Sequence, residues 1–435
     1  MQPRAAHISY QKLNQAQLDA IVKSHEVMNA GRVGGARAVL SYKDLTGLTL
    51  KDCNLADAEF TGAILQRTEF DGATLDRANF FGADLRRASL VGASLRRADL
   101  RGASLRGADL TRADLFEADL REGSIAERDR KGNLRFLQHE IGPTELPSAL
   151  LASSNLEGAK LSGIVAVQAD FTDAIMRNCR LVRANLRQAK LAGAVLENAD
   201  LSGADLSGAD LEGAILSGAK LAMTVFDHAN MDDVLMDEPA EHVREFSAPV
   251  LEMLRSHDQW ARSGGSAGKP CSLKDGDLRE LKSIGELNLT ALVAPNAIFY
   301  GLDMRGVKLQ GAQLVGADLR SVNLEGADLR GVNLRGAKLN NAKFNGAKCG
   351  PLALDSDRFM VAQFDKAKAR YADFDDCDLT NAQLTAIDAS FARFIGANLK
   401  GTDFSDATLN GAQIAHSSFA EAKSIGATGV KLLRG

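Results

Sequence analysis

Every fifth residue from Leu45 to Leu120 is Leu or Phe, and the series closes on Ile125. Two positions before most of these large residues stands a small one, usually Ala: Ala58, Ala63, Ala73, then every fifth residue through Ala118. A period of five fits neither the 3.6-residue turn of a helix nor the two-residue alternation of a flat strand. The chain must therefore turn a corner every five residues. On each short side the large and the small residue point inward and the other three face water. Leu or Phe fills a narrow lumen while the small residue leaves room at the corner, so the interior is expected to be dry and close-packed, without a ligand cavity. Stability then becomes a sum of coil-to-coil interfaces, each buried Leu or Phe contributing about 1.5–3 kcal/mol.

The stretches Ala83-Asp84-Leu85-Arg86-Arg87 and Ala98-Asp99-Leu100-Arg101-Gly102 resemble the A(D/N)LXX unit of the pentapeptide-repeat family. The resemblance implies an all-β solenoid, a right-handed quadrilateral parallel β-helix with one pentapeptide per side and four per coil.

Three registers organise the chain. The first has its large residues at multiples of five from Leu45 to Ile125, with Leu40 a possible addition. The second resumes one residue out of phase at Leu156 and continues to Met236. The third runs from Leu289 to Phe419, with Ala294, Cys349, Ala369 and Ala389 as undersized members. Two segments outside the repeats look like copies of one another. Asn14-Gln15-Ala16-Gln17 has the pattern of a capping box, Leu13 and Leu18 are placed as a hydrophobic staple, and Ile21, Val22, His25 and Met28 share one helical face before Gly31. Ser247 likewise precedes Val250, Leu251, Leu254, His257 and Trp260, with Gly264-Gly265 as the stop. Both carry Ser-His late in the helix, at Ser24-His25 and Ser256-His257. An open β-helix end bares apolar lumen and unpaired backbone, and a helix laid across it is the expected remedy. The organisation expected is therefore a β-helix in two segments, each with an N-terminal capping helix: 1–37, first capping helix; 38–240, first β-helix; 241–272, second capping helix and linker; 273–422, second β-helix; 423–435, tail.

Residues 126–150 interrupt the first β-helix. A charged run, then Gly132-Asn133, then the apolar alternation Leu134-Arg135-Phe136-Leu137 predict a projecting hairpin or Ω-type loop. Long insertions on rigid scaffolds tend to carry binding, which makes Arg130, Lys131, Arg135, Phe136 and His139 candidate partner contacts. In the third register Asp357 falls on an inward position shortly after Pro351, which cannot donate to a ladder, so a bulge or looped side is expected there.

Composition narrows the function classes. The N-terminus has no apolar core of a signal peptide and no stretch approaches 18 uncharged apolar residues, so a cytoplasmic protein without membrane contact is expected. The five cysteines read as small core residues, with Cys271 in the linker. Gly264-Gly265-Ser266-Ala267-Gly268-Lys269-Pro270 is not a phosphate-binding loop, because Ser263 and Pro270 stand where Gly and Ser/Thr are required. The histidines show no metal or triad spacing, and His25 and His257 read as helix-to-coil contacts. Neither an enzyme nor a cofactor is expected.

Net charge is −2 over residues 45–125, −4 over 156–236 and zero over 299–419. Resemblance to the family implies, for some members, a DNA-mimicking acidic rod that binds DNA gyrase or topoisomerase IV. Such mimicry needs a continuous acidic field. Here Arg67, Arg86, Arg87 and Arg106 gather on one side and Arg77, Arg96 and Arg97 on another, with Arg86, Arg87, Arg96 and Arg97 the candidate contacts. Interleaved Asp84, Asp99 and Asp109 and a shortage of aromatics argue against nucleic acid as the ligand. The favoured reading is a non-catalytic scaffold that binds another protein, with homo-oligomerisation open; the alternative is a loop-dependent gyrase or topoisomerase modulator.

Overall fold

The computed structural model describes residues 10–123, 126–128, 134–136, 142–236, 247–430 and 432–433. Parallel bridges join residues twenty apart, as in Thr49↔Glu69, Glu69↔Ser89 and Ser89↔Asp109, so four pentapeptides complete each coil of a four-sided parallel β-helix. One side shows how the backbone is satisfied. Leu85 N–H donates up to Ser104 O at 2.8 Å and Arg87 N–H to Arg106 O at 3.1 Å, while Asp84 N–H donates down to Ala63 O at 2.9 Å. Ala83 N–H closes the corner on Phe80 O at 2.9 Å. That leaves the amide one place after the large residue, and Asp84 Oδ1 accepts it from Arg86 at 3.2 Å. The same bond recurs from Arg101 to Asp99, Thr111 to Asp109, Ser202 to Asp200 and Ser207 to Asp205. The Asp of the repeat is thus the acceptor for the one amide each side would otherwise leave without a partner. Two places after the large residue the backbone turns left-handed, with φ +61° at Gly82 and +58° at Arg87. Gly recurs there because any other residue in that conformation costs roughly 1–2 kcal/mol.

The inward columns are buried along both β-helices except in the last coil of the first, where Leu221, Phe226, Met231 and Met236 are only half-buried. Phe60 and Phe80, one coil apart, stack with centroids 4.7 Å apart and planes 1° apart, and Phe70 meets both edge-on. The chain divides into two compact units, Met1–Glu238 and Pro239–Gly435, each with its own apolar core.

Helix α1, Gln15–Asn29, opens with the capping box: Asn14 Oδ1 accepts from Gln17 N–H at 2.9 Å and Gln17 Oε1 from Asn14 N–H at 3.0 Å. Leu13, Leu18 and Val22 join the core of the first unit. Helix α2, Ser247–Arg262, places Val250 and Leu254 in the core of the second. The two Ser-His pairs make equivalent bonds. Ser24 accepts from Ala36 N–H and Ser256 from Lys269 N–H, on both the hydroxyl and the carbonyl. The glycines that correspond are Gly35 and Gly268. A Cβ at Gly35 would lie 2.2 Å from Met28 N, and one at Gly268 would lie 2.1 Å from Ser256 O. Close helix approach therefore explains Gly268 in the segment that superficially resembled a phosphate loop.

The register readings need three corrections. The second register begins at buried Leu146 and Leu151, two repeats before Leu156. Ser104 bridges Glu145 and Leu105 N–H donates to Glu145 O at 2.7 Å, so Leu146 takes the place assigned to Ile125 and the first two registers form one uninterrupted stack. The insertion accordingly ends near residue 143 rather than 150. The third series starts earlier, at Leu273 and Leu278, with one extra residue before Ile284. Leu354 and Phe359 leave the lumen altogether: Asn333 bridges Gln363, and the ten surplus residues form a hairpin in which Leu352–Ala353 pairs antiparallel with Phe359–Met360. Asp357 is exposed in it, as the looped side predicted. The physical reason is shared. Stacking tolerates any excursion whose two ends return to adjacent positions on the coil, so a sequence phase does not reveal where the detour begins.

Candidate functional site

With the lumen filled, the outer faces and the excursions are what this fold presents to a ligand. Arg86 and Arg87 lie one and two places after Leu85, and Arg96 and Arg97 hold the same places after Leu95. Arg86 grips Asp84 of its own side with two bonds, Nε to Oδ1 at 2.8 Å and Nη2 to Oδ2 at 2.6 Å. Arg96 Nη1 donates to Asp114 Oδ2 at 2.6 Å, and its guanidinium lies 4.5 Å from the Phe116 ring centroid. Arg97 Nε donates to Glu117 Oε2 at 2.6 Å. Arg87 has no ion pair with a described residue. Three of these four arginines are thus matched by carboxylates on their own or the next coil. That pairing between coils was not legible from side-by-side counting along the chain.

In the interrupting segment, Ala126–Arg128 pairs antiparallel with Leu134–Phe136, Glu127 opposite Arg135 and Ala126 opposite Phe136, which is the hairpin expected. Arg130, Lys131 and His139 lie outside the described residues.

The second hairpin was not read as a site. Leu352 and Met360 fold back over the corner at Gly331, where a Cβ would meet Leu352 Cβ at 3.0 Å and Met360 Cγ at 3.1 Å. Asp355 Oδ1 accepts the Arg358 amide at 2.8 Å and so ties the tip. Leu354 and Phe359 are left 53% and 60% exposed. Pro351 and Asp357 were the signals for it; they announced a loop but not which apolar side chains it would show.

Cys179, Cys349 and Cys377 are buried and all five cysteines are free thiols. Burial pushes the Cys179 thiol up to about 12. The hydrogen bond between Cys349 and Cys377, with Sγ atoms 3.7 Å apart, and then burial hold the Cys349 thiol well above its ordinary value, so neither is primed as a nucleophile. Among the described residues no group of three or more His, Cys, Asp or Glu is placed to hold a metal ion, and no helix is long and apolar enough to cross a membrane.

Eight copies of the family model for pentapeptide repeats match the chain, at residues 44–80, 78–115, 149–188, 179–218, 286–320, 312–348, 358–390 and 390–423, more than half of its length. No curated protein matches it. Among solved structures, HetL, a pentapeptide repeat protein involved in heterocyst differentiation regulation in the cyanobacterium Nostoc sp. strain PCC 7120, is 27% identical, with 50% of this chain and 97% of HetL covered and a TM-score of 0.24. Rfr23, from the cyanobacterium Cyanothece 51142, is 28% identical over 32% of this chain and 91% of its own, with a TM-score of 0.23. QnrB1, a plasmid-mediated fluoroquinolone resistance protein, is 20% identical over 50% of this chain and 97% of its own, with a TM-score of 0.27.

Proposed function

Because the chain belongs to the pentapeptide-repeat family, with its right-handed quadrilateral β-helix, we propose that it is a non-catalytic scaffold that binds another protein through its outer faces and hairpins. The observation that carries this reading is the second hairpin. Its backbone is anchored on the coil through Leu352 and Met360, yet Leu354 and Phe359 stay largely in water. Large apolar side chains held rigidly in solvent make efficient anchors, because little conformational freedom is lost when a partner covers them. Among the described residues the lumen is filled, and the Cys179 and Cys349 thiols are held well above their ordinary values, which is in keeping with a binding role carried by the outer surface.

The test is affinity capture from the source cells with three forms of the full chain: the parent, Leu354→Ser with Phe359→Ser, and a form lacking residues 123–143. That deletion leaves Leu146 and Leu151 in the column. A partner enriched by the parent and lost from one variant is expected, and equal recovery on all three rejects a loop-directed scaffold. For the gyrase alternative, purified gyrase should supercoil DNA at an unchanged rate with the protein present, since paired arginines and carboxylates do not supply a polyanion's field. Inhibition or quinolone protection that disappears with residues 123–143 would establish the alternative instead.

A further inference from the structure

Helix α1 is held on the first coil by a histidine whose two ring nitrogens are both committed. His25 is fully buried. The Ala38 amide donates to its Nδ1 at 3.0 Å. An amide nitrogen can only donate, so Nδ1 must keep its lone pair, and Nε2 carries the proton and donates to the Ala56 carbonyl at 2.9 Å. Asn29 of the same helix lies 3.2 Å from Nε2. The charged groups around the ring are Glu26 on α1, Arg37 on the connector and Asp57 on the first coil. Arg37 is itself engaged, through the Asp57 carbonyl and Glu59.

We propose that α1 is an acid-sensitive latch: a proton taken up at His25 Nδ1 replaces the acceptor that the Ala38 amide needs with a second donor, and α1 leaves the first coil. Both partners of the broken bond are buried, so the docked state loses a bond and gains two opposed N–H groups. Burial first lowers the affinity of His25 for protons; the Ala56 carbonyl raises it, Arg37 lowers it, Asp57 and Glu26 raise it, and the balance lies below the ordinary 6.5. The docked state therefore binds the proton more weakly than the released one. Its advantage is complete above about pH 6.5 and is lost as pH falls from there through the lowered value. The arrangement is repeated in the second unit, where the Cys271 amide donates to His257 Nδ1 at 3.1 Å and Nε2 lies 2.9 Å from the Thr290 carbonyl.

Hydrogen exchange of the full chain, read by mass spectrometry at pH 7.5 and 5.5 and corrected for the intrinsic effect of pH, tests the latch. Protection of peptides covering α1 and residues 36–38 should fall by about tenfold or more at pH 5.5, the effect of stranding a buried donor. Peptides within residues 60–120 should keep theirs. In His25→Gln, which can accept and donate without charging, the acid-dependent loss should vanish. Unchanged protection in the parent, or an equal loss in the variant, overturns the proposal. Should the variant not fold, the imidazole nitrogen resonances of the parent decide: protonation of His25 together with α1 release supports the latch, and His25 staying neutral at pH 5, or protonated with α1 still docked, refutes it.

Discussion

At the residue scale, position within the five-residue unit decides the consequence of a substitution. Leu100→Arg would place a charge in a filled lumen without a partner and should cost several kcal/mol, while Arg87→Ala, which breaks no ion pair and keeps its left-handed corner, should change stability by less than about 0.5 kcal/mol. Thermal melts of the two variants make the comparison; equal melting temperatures would contradict the inward assignment of Leu100. The Asp of the repeat has a second signature, in pH. The Ser202 hydroxyl, followed by the Ser202 amide, holds the Asp200 carboxyl below its ordinary 3.8, and Ser207 does the same for Asp205. A carboxylate depressed in the folded state contributes stability that is complete above about pH 4 and is lost as pH falls through the lowered value. Asp200→Asn with Asp205→Asn keeps an acceptor for each amide but removes the titration. Its melting temperature should therefore decline less steeply than the parent's between pH 4 and 2.5, and parallel declines would assign acid unfolding to other groups.

At the scale of elements, the excursions are grafted onto a frame that is already continuous beneath them. Asn333, Lys338, Lys343 and Lys348 bridge residues thirty places on, so the coils on either side of the second hairpin pair as if it were absent. Deleting residues 351–360 joins Gly350 to Val361 and restores the spacing from Cys349 to Phe364. The β-helix should survive, with a circular dichroism spectrum unchanged apart from the lost hairpin and a melting temperature within a few degrees of the parent. A collapse of the second unit would mean that Leu352 and Met360 over Gly331 are needed to hold the corner, not only the hairpin.

At the scale of the whole molecule, the two cores share no residue, and unfolding should follow that division. Calorimetry of the full chain is expected to show two transitions. Removal of residues 1–36 strips Leu13, Leu18 and Val22 from the first core and bares its first coil, so it should lower one transition, promote aggregation and leave the other in place. A truncated protein that stays monomeric and melts like the parent would show that α1 is not needed to close the first unit.

The five-residue spacing of large and small residues was enough to determine a filled lumen and a turn every five residues, while the four-sided coil was an expectation carried by the resemblance of the A(D/N)LXX units to the pentapeptide-repeat family. Inward positions are set by local periodicity, and periodicity is written along the chain. The capping box at Asn14 and the loop at Asp357 were legible for the same reason, each being a contact or conflict within a few residues. What lies twenty residues apart was decided only when the coils stacked. That stacking put Leu146 over Leu105, gave Arg96 and Arg97 their carboxylates on the next coil, committed both nitrogens of His25, and turned Phe359 from a lumen residue into an exposed one. Each of these depends on which backbone groups and charges meet across a coil spacing of about 4.8 Å, and that meeting is a property of the wound chain rather than of its order.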